Sequence, residues 1–197
     1  RSKRRPRGSK PWFGWLLKLF LVALVIFAGV AVYLDAVVQE MLPLIQARLA
    51  ERHLQVRWTP PVALPHVWAD KLQLQQVLGN LLLNAADAVE EAVHHWTVPS
   101  DPIAVQVSAA VLPAQQVQLT VQDCGVGLPA AIAEHVFDAF WSTKPQGMGL
   151  GLSLCRSMVE SMGGRIWAQP RNDGTTGAMF FITLPLAYTA HAIAQSF

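Results

Sequence analysis

Two asparagines four residues apart, Asn80 and Asn84, are residues whose type and spacing could support chemistry. Asparagine in a helix interior lowers helix propensity, so a pair of them on one face needs a reason. Their side-chain oxygens are hard, neutral ligands that suit Mg²⁺, an ion that accompanies nucleotide phosphates. The alternative interpretation is an ordinary solvated face, although such faces are usually rich in Lys and Glu.

A second group of residues follows the alternating apolar pattern of residues 117–121 and reads Asp123-Cys-Gly-Val-Gly127. A carboxylate at a strand end can accept a hydrogen bond from an exocyclic amine such as that of adenine. The two glycines allow the backbone to approach a flat ligand closely. An ordinary Asp/Gly turn is the alternative explanation of these residues when they are considered alone.

A third group is rich in glycine, and Gly147-Met-Gly-Leu-Gly-Leu152 opens an apolar helical pattern. Free N–H groups in a glycine-rich turn at a helix N-terminus form a phosphate cradle. The spacing is neither that of a dinucleotide-binding G-x-G-x-x-G motif nor that of a P-loop. The spacing to the third glycine differs from that of the dinucleotide-binding motif, and the Gly-Lys-Ser/Thr of a P-loop is missing.

Hydrophobic periodicity predicts the elements that must position these groups. One apolar stripe at helical spacing predicts a helix over residues 69–95, and the asparagines lie on its second, polar stripe. Period-two alternation predicts an antiparallel pair of strands at residues 103–111 and 117–121, covered on one side. Shorter segments are predicted as helices at Met41–His53 and Leu150–Met162 and as strands at Leu54–Trp58, Arg165–Ala168 and Ala178–Leu186.

Taken in order, these segments resemble the ATP-binding domain of sensor histidine kinases, within the wider gyrase, chaperone, kinase and mismatch-repair ATPase superfamily. The resemblance covers residues 42–186, and the close spacing of Ser142-Thr-Lys and the following glycines is similar to the short-lid branch. The matching segments are the N box at Asn80–Asn84, the G1 box at Asp123–Gly127, the F box at Phe137–Phe140, the G2 box at Gly147–Leu152, and the closing glycine turn and strand at Gly174–Phe181.

The resemblance implies a fold, a chemistry and a set of site residues. The fold is a two-layer α/β sandwich in which a mixed, mostly antiparallel sheet carries helices on one face. The chemistry is binding of ATP and Mg²⁺ with phosphoryl transfer by positioning and charge stabilisation. Asn84 would ligate Mg²⁺, and Asn80 and Lys144 would be catalytic. The residues implied to contact the nucleotide are Asn80, Asn84, Asp87, Asp123, Gly125, Gly127, Phe137, Phe140, Lys144, Gly147, Gly149, Leu150, Gly151, Leu152 and Thr176.

The N-terminal forty residues differ in composition from the rest. Residues 1–11 form a basic tail, and residues 12–34 carry a single charge, Lys18, which predicts a transmembrane helix. Arg1–Glu40 resembles the anchor of class A penicillin-binding proteins. The resulting division is a cytoplasmic tail (1–11), a transmembrane helix (12–34), a junction (35–41), the ATP-binding domain (42–186) and a C-terminal tail (187–197).

This division predicts a single-pass protein of the inner (plasma) membrane. The positive-inside rule places the ATP-binding domain in the periplasm, whereas the use of ATP places this domain in the cytoplasm. Because the two resemblances meet near Val38–Leu42, the sequence also raises the hypothesis of a composite chain.

The phosphoacceptor implied by the kinase resemblance is a histidine on a two-helix hairpin. No histidine here stands in a His-Glu-x-x-x-Pro-like setting. We therefore expect an incomplete histidine kinase, with the hairpin and a response regulator supplied in trans. Two alternatives stay open: an anti-sigma-type serine kinase, and an inert membrane-anchor fragment of a peptidoglycan synthase. Surface or core positions are expected for His53, His66, His94, His95, His135 and His191.

The composition excludes several other classes of protein. With 52% hydrophobic and only 14% charged residues, the chain is not disordered. From Asp35 onward there are 8 basic and 13 acidic residues, and an acidic body behind a basic tail argues against nucleic-acid binding. Two cysteines, Cys124 and Cys155, are too few for a disulfide framework, so a reducing compartment is expected.

Overall fold

The computed structural model describes residues 30–50, 54–93, 103–144 and 147–187. A short sheet pairs β1 (Val30–Val32) with β3 (Val67–Ala69). A five-stranded sheet contains β2 (Leu54–Thr59), β4 (Ile103–Leu112), β5 (Gln116–Gln122), β6 (Arg165–Pro170) and β7 (Ala178–Pro185), in the order β2-β4-β5-β7-β6. In the larger sheet β2 is parallel to β4 and all other neighbours are antiparallel, which confirms the mixed, mostly antiparallel prediction.

Alternation along β5 separates a covered face of the sheet from an open one. Val117, Leu119 and Val121 are buried, whereas Gln118 and Thr120 between them are partly exposed. Leu119 pairs with Ile182 across β7, so the buried side chains of neighbouring strands line up on one face. This face joins a single hydrophobic core with the apolar sides of three helices, α1 (Leu34–Ala50), α2 (Lys71–Val93) and α3 (Gly151–Ser161).

Helix α2 is the central element of the helical layer, and its predicted apolar stripe is confirmed. Asp70 precedes the helix, and its Oδ1 accepts a hydrogen bond from the backbone N–H of Gln73 at 2.9 Å, as an N-cap residue does. The polar stripe with the asparagines lies half-exposed beside α3. The buried residues are Leu74, Val77, Leu78, Leu81, Leu82, Ala85, Ala86, Val89 and Ala92.

Helix α1 begins earlier than the sequence pattern predicts. The helix expected at Met41–His53 starts at Leu34, so residues 35–41, expected as a junction, lie within it. Pro43 inside the helix removes one backbone hydrogen bond. Burial of Val38 before this proline and of Ile45 after it holds both halves against the core. The stretch from Val38 to Leu42, where two unrelated segments were expected to join, is therefore continuous helix.

The predicted transmembrane helix at 12–34 falls mostly outside the described residues. At its end, Val30–Val32 form a strand antiparallel to Val67–Ala69 rather than a helix, and this part of the prediction is wrong. The backbone groups of β3 offer this segment a ladder of hydrogen bonds, and Val32 and Leu34 are buried in the core. Among the described residues, no helix has both the length and the apolar character needed to cross a membrane.

The C-terminal elements match the predicted order and lie within two residues of the predicted bounds. α3 ends at Ser161, and Gly163 follows with a φ of +73°, a conformation that favours glycine. The short β3 and the 3₁₀ turns at Ala130–Ile132 and His135–Phe137 were not predicted. Three-residue segments carry too little periodicity to be recognised from sequence.

Candidate functional site

The polar face of α2 carries Asn80, Asn84 and Asp87, which the helical repeat places on one side. Lys144, in the loop before α3, reaches this face: its Nζ lies 2.5 Å from Asp87 Oδ2 and 3.4 Å from Asn84 Oδ1. Asn80 Nδ2 lies 3.5 Å from Cys155 Sγ on α3. The structure thus brings together four residues that the sequence assigned to the same site.

Asp123 ends β5 as a buried carboxylate that is 2% exposed. Its Oδ1 accepts hydrogen bonds from the backbone N–H of Gly125 at 2.9 Å and of Ala178 at 3.0 Å. Its Oδ2 has no hydrogen-bond partner in the described part of the chain. Burial raises the pKa of Asp123, while the two backbone donors and nearby Arg171 lower it in part. Oδ2 can therefore accept a hydrogen bond from a ligand amine.

Glycines surround Asp123 because there is no room for side chains. A Cβ on Gly125 would lie 2.5 Å from the carbonyl carbon of Ala88 on α2, and Val126 N–H donates to the Ala88 carbonyl at 3.2 Å. A Cβ on Gly177 would lie 2.2 Å from the Asp123 carbonyl oxygen. Gly127 has a φ of +90° and faces Gly177. These close approaches hold the Asp123 loop against both α2 and the start of β7.

The glycines before α3 divide into packed and open positions. Gly149 has a φ of +67°, and a Cβ there would lie 2.4 Å from the carbonyl carbon of Phe140. A Cβ on Gly147 would lie 2.3 Å from Ser142 Oγ, whereas one on Gly151 would meet nothing within 4 Å. Gly151 begins α3, where the first N–H groups have no partner within the helix. The open position thus lies beside free backbone donors.

The two phenylalanines of the predicted nucleotide contacts have different environments. Phe137 is buried, with its ring edge-on to Phe180 at 6.2 Å between centroids and the Arg156 guanidinium 4.7 Å above it. Phe140 is 79% exposed and has a φ of +67°, and its N–H donates to the Gly149 carbonyl at 2.9 Å. Phe137 therefore packs in the core, and Phe140 lies at the rim of the glycine turn.

A family model decides what this arrangement is. The model described as histidine kinase-, DNA gyrase B- and HSP90-like ATPase matches residues 69–188, which contain all of the site residues above. The chain belongs to this ATPase family. The resemblance to the kinase ATP-binding domain is thereby confirmed.

Proteins similar to this chain include sensor kinases. The chain is 34% identical to sensor protein FixL of Bradyrhizobium diazoefficiens over 78% of its own length and 28% of the relative. It is 33% identical to the adaptive-response sensory kinase SasA of Synechocystis over 75% of its own length and 37% of the relative. The nucleotide-free catalytic domain of histidine kinase ThkA aligns with a TM-score of 0.65 at 25% identity, covering 80% of this chain and 95% of that structure. This chain spans about a third of the length of these curated relatives.

The donor set of the ATPase site fits a nucleotide with Mg²⁺. Asn84 and Asp87 direct side-chain oxygens toward the same cation, the ammonium of Lys144. Mg²⁺ is usually held by one or two protein oxygens together with phosphates and water, and this face of α2 can supply them. The open space at Gly151 leaves room for a phosphate at the N-terminus of α3.

Three further outcomes concern residues named or missed from the sequence. Thr176 is exposed, and the neighbouring Thr175 instead donates through its hydroxyl to Asp173 Oδ1 at 2.5 Å. Leu150 and Leu152 are half-buried around the start of α3. Sequence reasoning missed Arg171, whose Nη1 donates to the Asp123 carbonyl at 3.0 Å. Its only sequence signal is a basic residue between β6 and the glycine turn.

A separate groove of about 780 Å³ lies between α3 and β6. Of the residues assigned to the nucleotide, Phe137 belongs to its lining. Asp123, Lys144 and the α2 asparagines do not line this groove, so it is a different surface from the ATPase site.

Proposed function

We propose that this chain binds ATP with Mg²⁺ and transfers its terminal phosphoryl group to a histidine supplied by another polypeptide segment. The observation that carries the proposal is the Asp123 carboxylate. It is buried and held through Oδ1, and its Oδ2 has no hydrogen-bond partner among the described residues. A buried carboxylate left with an open oxygen is costly for the unliganded protein. A ligand that donates a hydrogen bond to Oδ2 offsets this cost.

The adenine ring is the part of ATP that fits this acceptor. Its exocyclic amine is a hydrogen-bond donor, and a bond from it to a charged oxygen contributes about 1.5–3 kcal/mol. Gly125 packs without a side chain against Ala88 of α2, and Gly127 faces Gly177, so both glycines hold the Asp123 loop in the position in which it would receive the ring. The adenine end of the site is thus formed by the G1 segment between β5 and the 3₁₀ turns.

The phosphates then extend toward α2 and the start of α3. Asn84 would ligate Mg²⁺ with Asp87 beside it, and the bound ion would neutralise part of the phosphate charge. Asn80 would orient the phosphates, and the Lys144 ammonium would stabilise the charge of the terminal phosphoryl group. Backbone N–H groups at Gly151 and Leu152 would donate to phosphate oxygens. These residues act by positioning and charge, and none of them forms a covalent intermediate.

The phosphoacceptor and the receiver are expected on other polypeptide segments. The ring of His66 packs against that of Tyr33 at a tilt of 49°, with centroids 3.6 Å apart, and His135 pairs with Asp138 at 2.9 Å. These contacts support structural roles for both histidines, in accord with a phosphoacceptor hairpin in trans. A response regulator is the expected partner, since a structure similar in fold is the histidine kinase ThkA in complex with response regulator protein TrrA. We also propose attachment to the inner membrane through residues 12–29 of the apolar segment, with the ATPase domain in the cytoplasm.

Binding of a fluorescent ATP analogue to the full chain in detergent tests the nucleotide proposal. We expect saturable binding that unlabelled ATP displaces, and a loss of affinity of about 1–3 kcal/mol, roughly five- to 150-fold, in Asp123→Asn. Glu160→Gln is the control, because Glu160 is an exposed carboxylate near the C-terminal end of α3, the end opposite to the glycine turn. Absence of binding in the wild type, or equal affinity in wild type and Asp123→Asn, would contradict the proposal.

Incubation with ATP labelled on its terminal phosphate tests the acceptor. We expect no acid-labile label on the chain itself and transfer only when a separate phosphoacceptor hairpin is added. Acid-labile label on any histidine of the chain would contradict transfer in trans. Acid-stable label on an added protein's serine would instead support the serine-kinase alternative.

A further inference from the structure

The hairpin loop between β6 and β7 contains an arginine whose contacts converge on Asp123. Arg171 follows β6 directly, and its side chain is 14% exposed although it carries a full charge. Its Nη1 donates to the Asp123 carbonyl at 3.0 Å. Its backbone N–H donates to the Gly177 carbonyl at 3.1 Å and so closes the loop just before β7. The arginine thus connects the loop to the residue that ends β5.

The remaining donors of the guanidinium are occupied by two side chains. Nε donates to Asp173 Oδ1 at 3.2 Å, and Nη2 forms an ion pair with Asp173 Oδ2. The side-chain oxygen of Gln122 lies 3.3 Å from Nε and 3.0 Å from Nη2 in the amide orientation that satisfies both of its polar atoms. Asp173 is itself oriented by the N–H of Thr175 at 3.2 Å. The planar guanidinium is therefore fixed in one orientation, with Nη1 toward Asp123.

Asp123 is held on its other sides by the ends of the same loop. Its N–H donates to the Ala178 carbonyl at 3.0 Å, and its Oδ1 accepts from the Ala178 N–H at 3.0 Å. Gly177 has a φ of +139°, and a Cβ on it would lie 2.7 Å from Arg171 Cδ as well as 2.2 Å from the Asp123 carbonyl oxygen. The position of the Asp123 backbone therefore depends on where Arg171 lies.

We propose that Arg171 is a positioning residue for adenine recognition, which acts by fixing the Asp123 backbone so that Oδ2 faces the exocyclic amine of the nucleotide. This inference rests on the proposed function. Arg171 does not touch the nucleotide, and it acts through Asp123. Its loss should therefore weaken recognition of the amine more than it weakens the phosphate contacts.

The test compares the affinities of ATP and of purine riboside triphosphate, which lacks the 6-amino group, for this chain in detergent. In Arg171→Gln we expect the affinity for ATP to fall about fivefold, because Arg171 and Asp123 belong to one hydrogen-bonded network. The affinity for the amine-free analogue should change by less than twofold. Arg165→Gln, at the opposite end of β6, is the matched control and should change neither affinity. A loss of equal size for both nucleotides in Arg171→Gln would show a merely structural role and overturn the proposal.

Two further variants keep the test informative if Arg171→Gln folds poorly. Arg171→Lys retains the charge without the planar fork, and we expect it to recover only part of the selectivity for the amine. Asp173→Asn leaves the arginine in place but weakens its orientation, and we expect a two- to threefold loss that is specific for ATP. Unchanged selectivity in both variants would overturn the proposal. ATP binding by the wild type alongside that result would leave the proposed function standing, whereas no ATP binding by the wild type would reject that function itself.

Discussion

The two ends of the candidate ATPase site are built differently. At the adenine end, Asp123 is buried, accepts three hydrogen bonds from backbone N–H groups and Arg171, and donates one to the Ala178 carbonyl. At the phosphate end, Lys144 and Asp87 meet through half-exposed side chains, and Met148, four residues after Lys144, is 78% exposed. Exposed ion pairs contribute about 0–1 kcal/mol and rearrange easily. The adenine end is therefore preorganised, and the phosphate end is free to rearrange around its ligand.

The difference follows from what each end must recognise. An amine is distinguished from other groups by one acceptor in a fixed position, and a fixed acceptor requires buried hydrogen bonds. Phosphates carry high charge and are attracted by cations and N–H groups over a range of geometries. The predictions below would break or sharpen this contrast, and they run from the largest expected effect to the smallest.

Placing a methyl group on Gly125 should disrupt the adenine end most. A Cβ there would lie 2.5 Å from the Ala88 backbone of α2, so Gly125→Ala should lower the free energy of unfolding by about 1–3 kcal/mol and abolish ATP binding. Chemical denaturation and nucleotide titration measure the two effects.

Gly151→Ala is the matched variant at the phosphate end. Its Cβ would meet nothing within 4 Å, so stability should be unchanged or higher by up to about 1 kcal/mol. ATP affinity should still fall, because the new methyl group occupies space intended for a phosphate. Equal destabilisation by the two alanine variants would contradict the contrast between packed and open glycines.

Asp123→Asn should separate binding from stability. Because burial raises the pKa of Asp123, the folded protein binds its proton more tightly than the unfolded chain does. The contribution of Asp123 to stability is therefore favourable at low pH and decreases as the pH rises through that raised pKa. Near neutral pH the asparagine variant should be at least as stable as the wild type while binding ATP about 1–3 kcal/mol less tightly.

The pH dependence of ATP binding should run in the opposite direction to that of stability. Protonation of Asp123 removes the negative acceptor, so ATP affinity should decline as the pH falls toward its pKa. The other ionisable groups around it are Arg171, Asp173 and the thiol of Cys124, whose own pKa is raised by burial. In Asp123→Asn the affinity for ATP should not decline at low pH. An identical decline in this variant would assign the titration to another group.

Lys144→Ala should have the smallest effect on the fold. Removing this exposed ion pair should change the free energy of unfolding by less than about 1 kcal/mol, while affinity for ATP in the presence of Mg²⁺ falls severalfold. Lys71, which pairs with Glu40 at 2.6 Å away from the site, supplies the control Lys71→Ala. A similar loss of affinity in both lysine variants would indicate a general charge effect rather than a role at the phosphates.

Periodic parts of the fold could be predicted from sequence, and single long-range contacts could not. The α2 stripes and the strand ending at Asp123 were recognised because local spacing fixes which residues share a face. Arg171 was missed because its contact with Asp123 joins residues 48 positions apart in sequence. The start of α1 at Leu34 was missed because it lies in an apolar run, and apolarity alone does not distinguish a membrane span from a core segment.

Isothermal titration of ATP with and without Mg²⁺ into wild type, Asp123→Asn and Asn84→Ala tests the central claim most directly. We predict that Asp123→Asn lowers affinity by the same factor in both conditions, because the adenine end is formed without metal. Asn84→Ala should lower affinity only when Mg²⁺ is present, because that oxygen acts through the ion. Equal losses with and without Mg²⁺ in Asn84→Ala, or a loss in Asp123→Asn confined to Mg²⁺, would contradict the account.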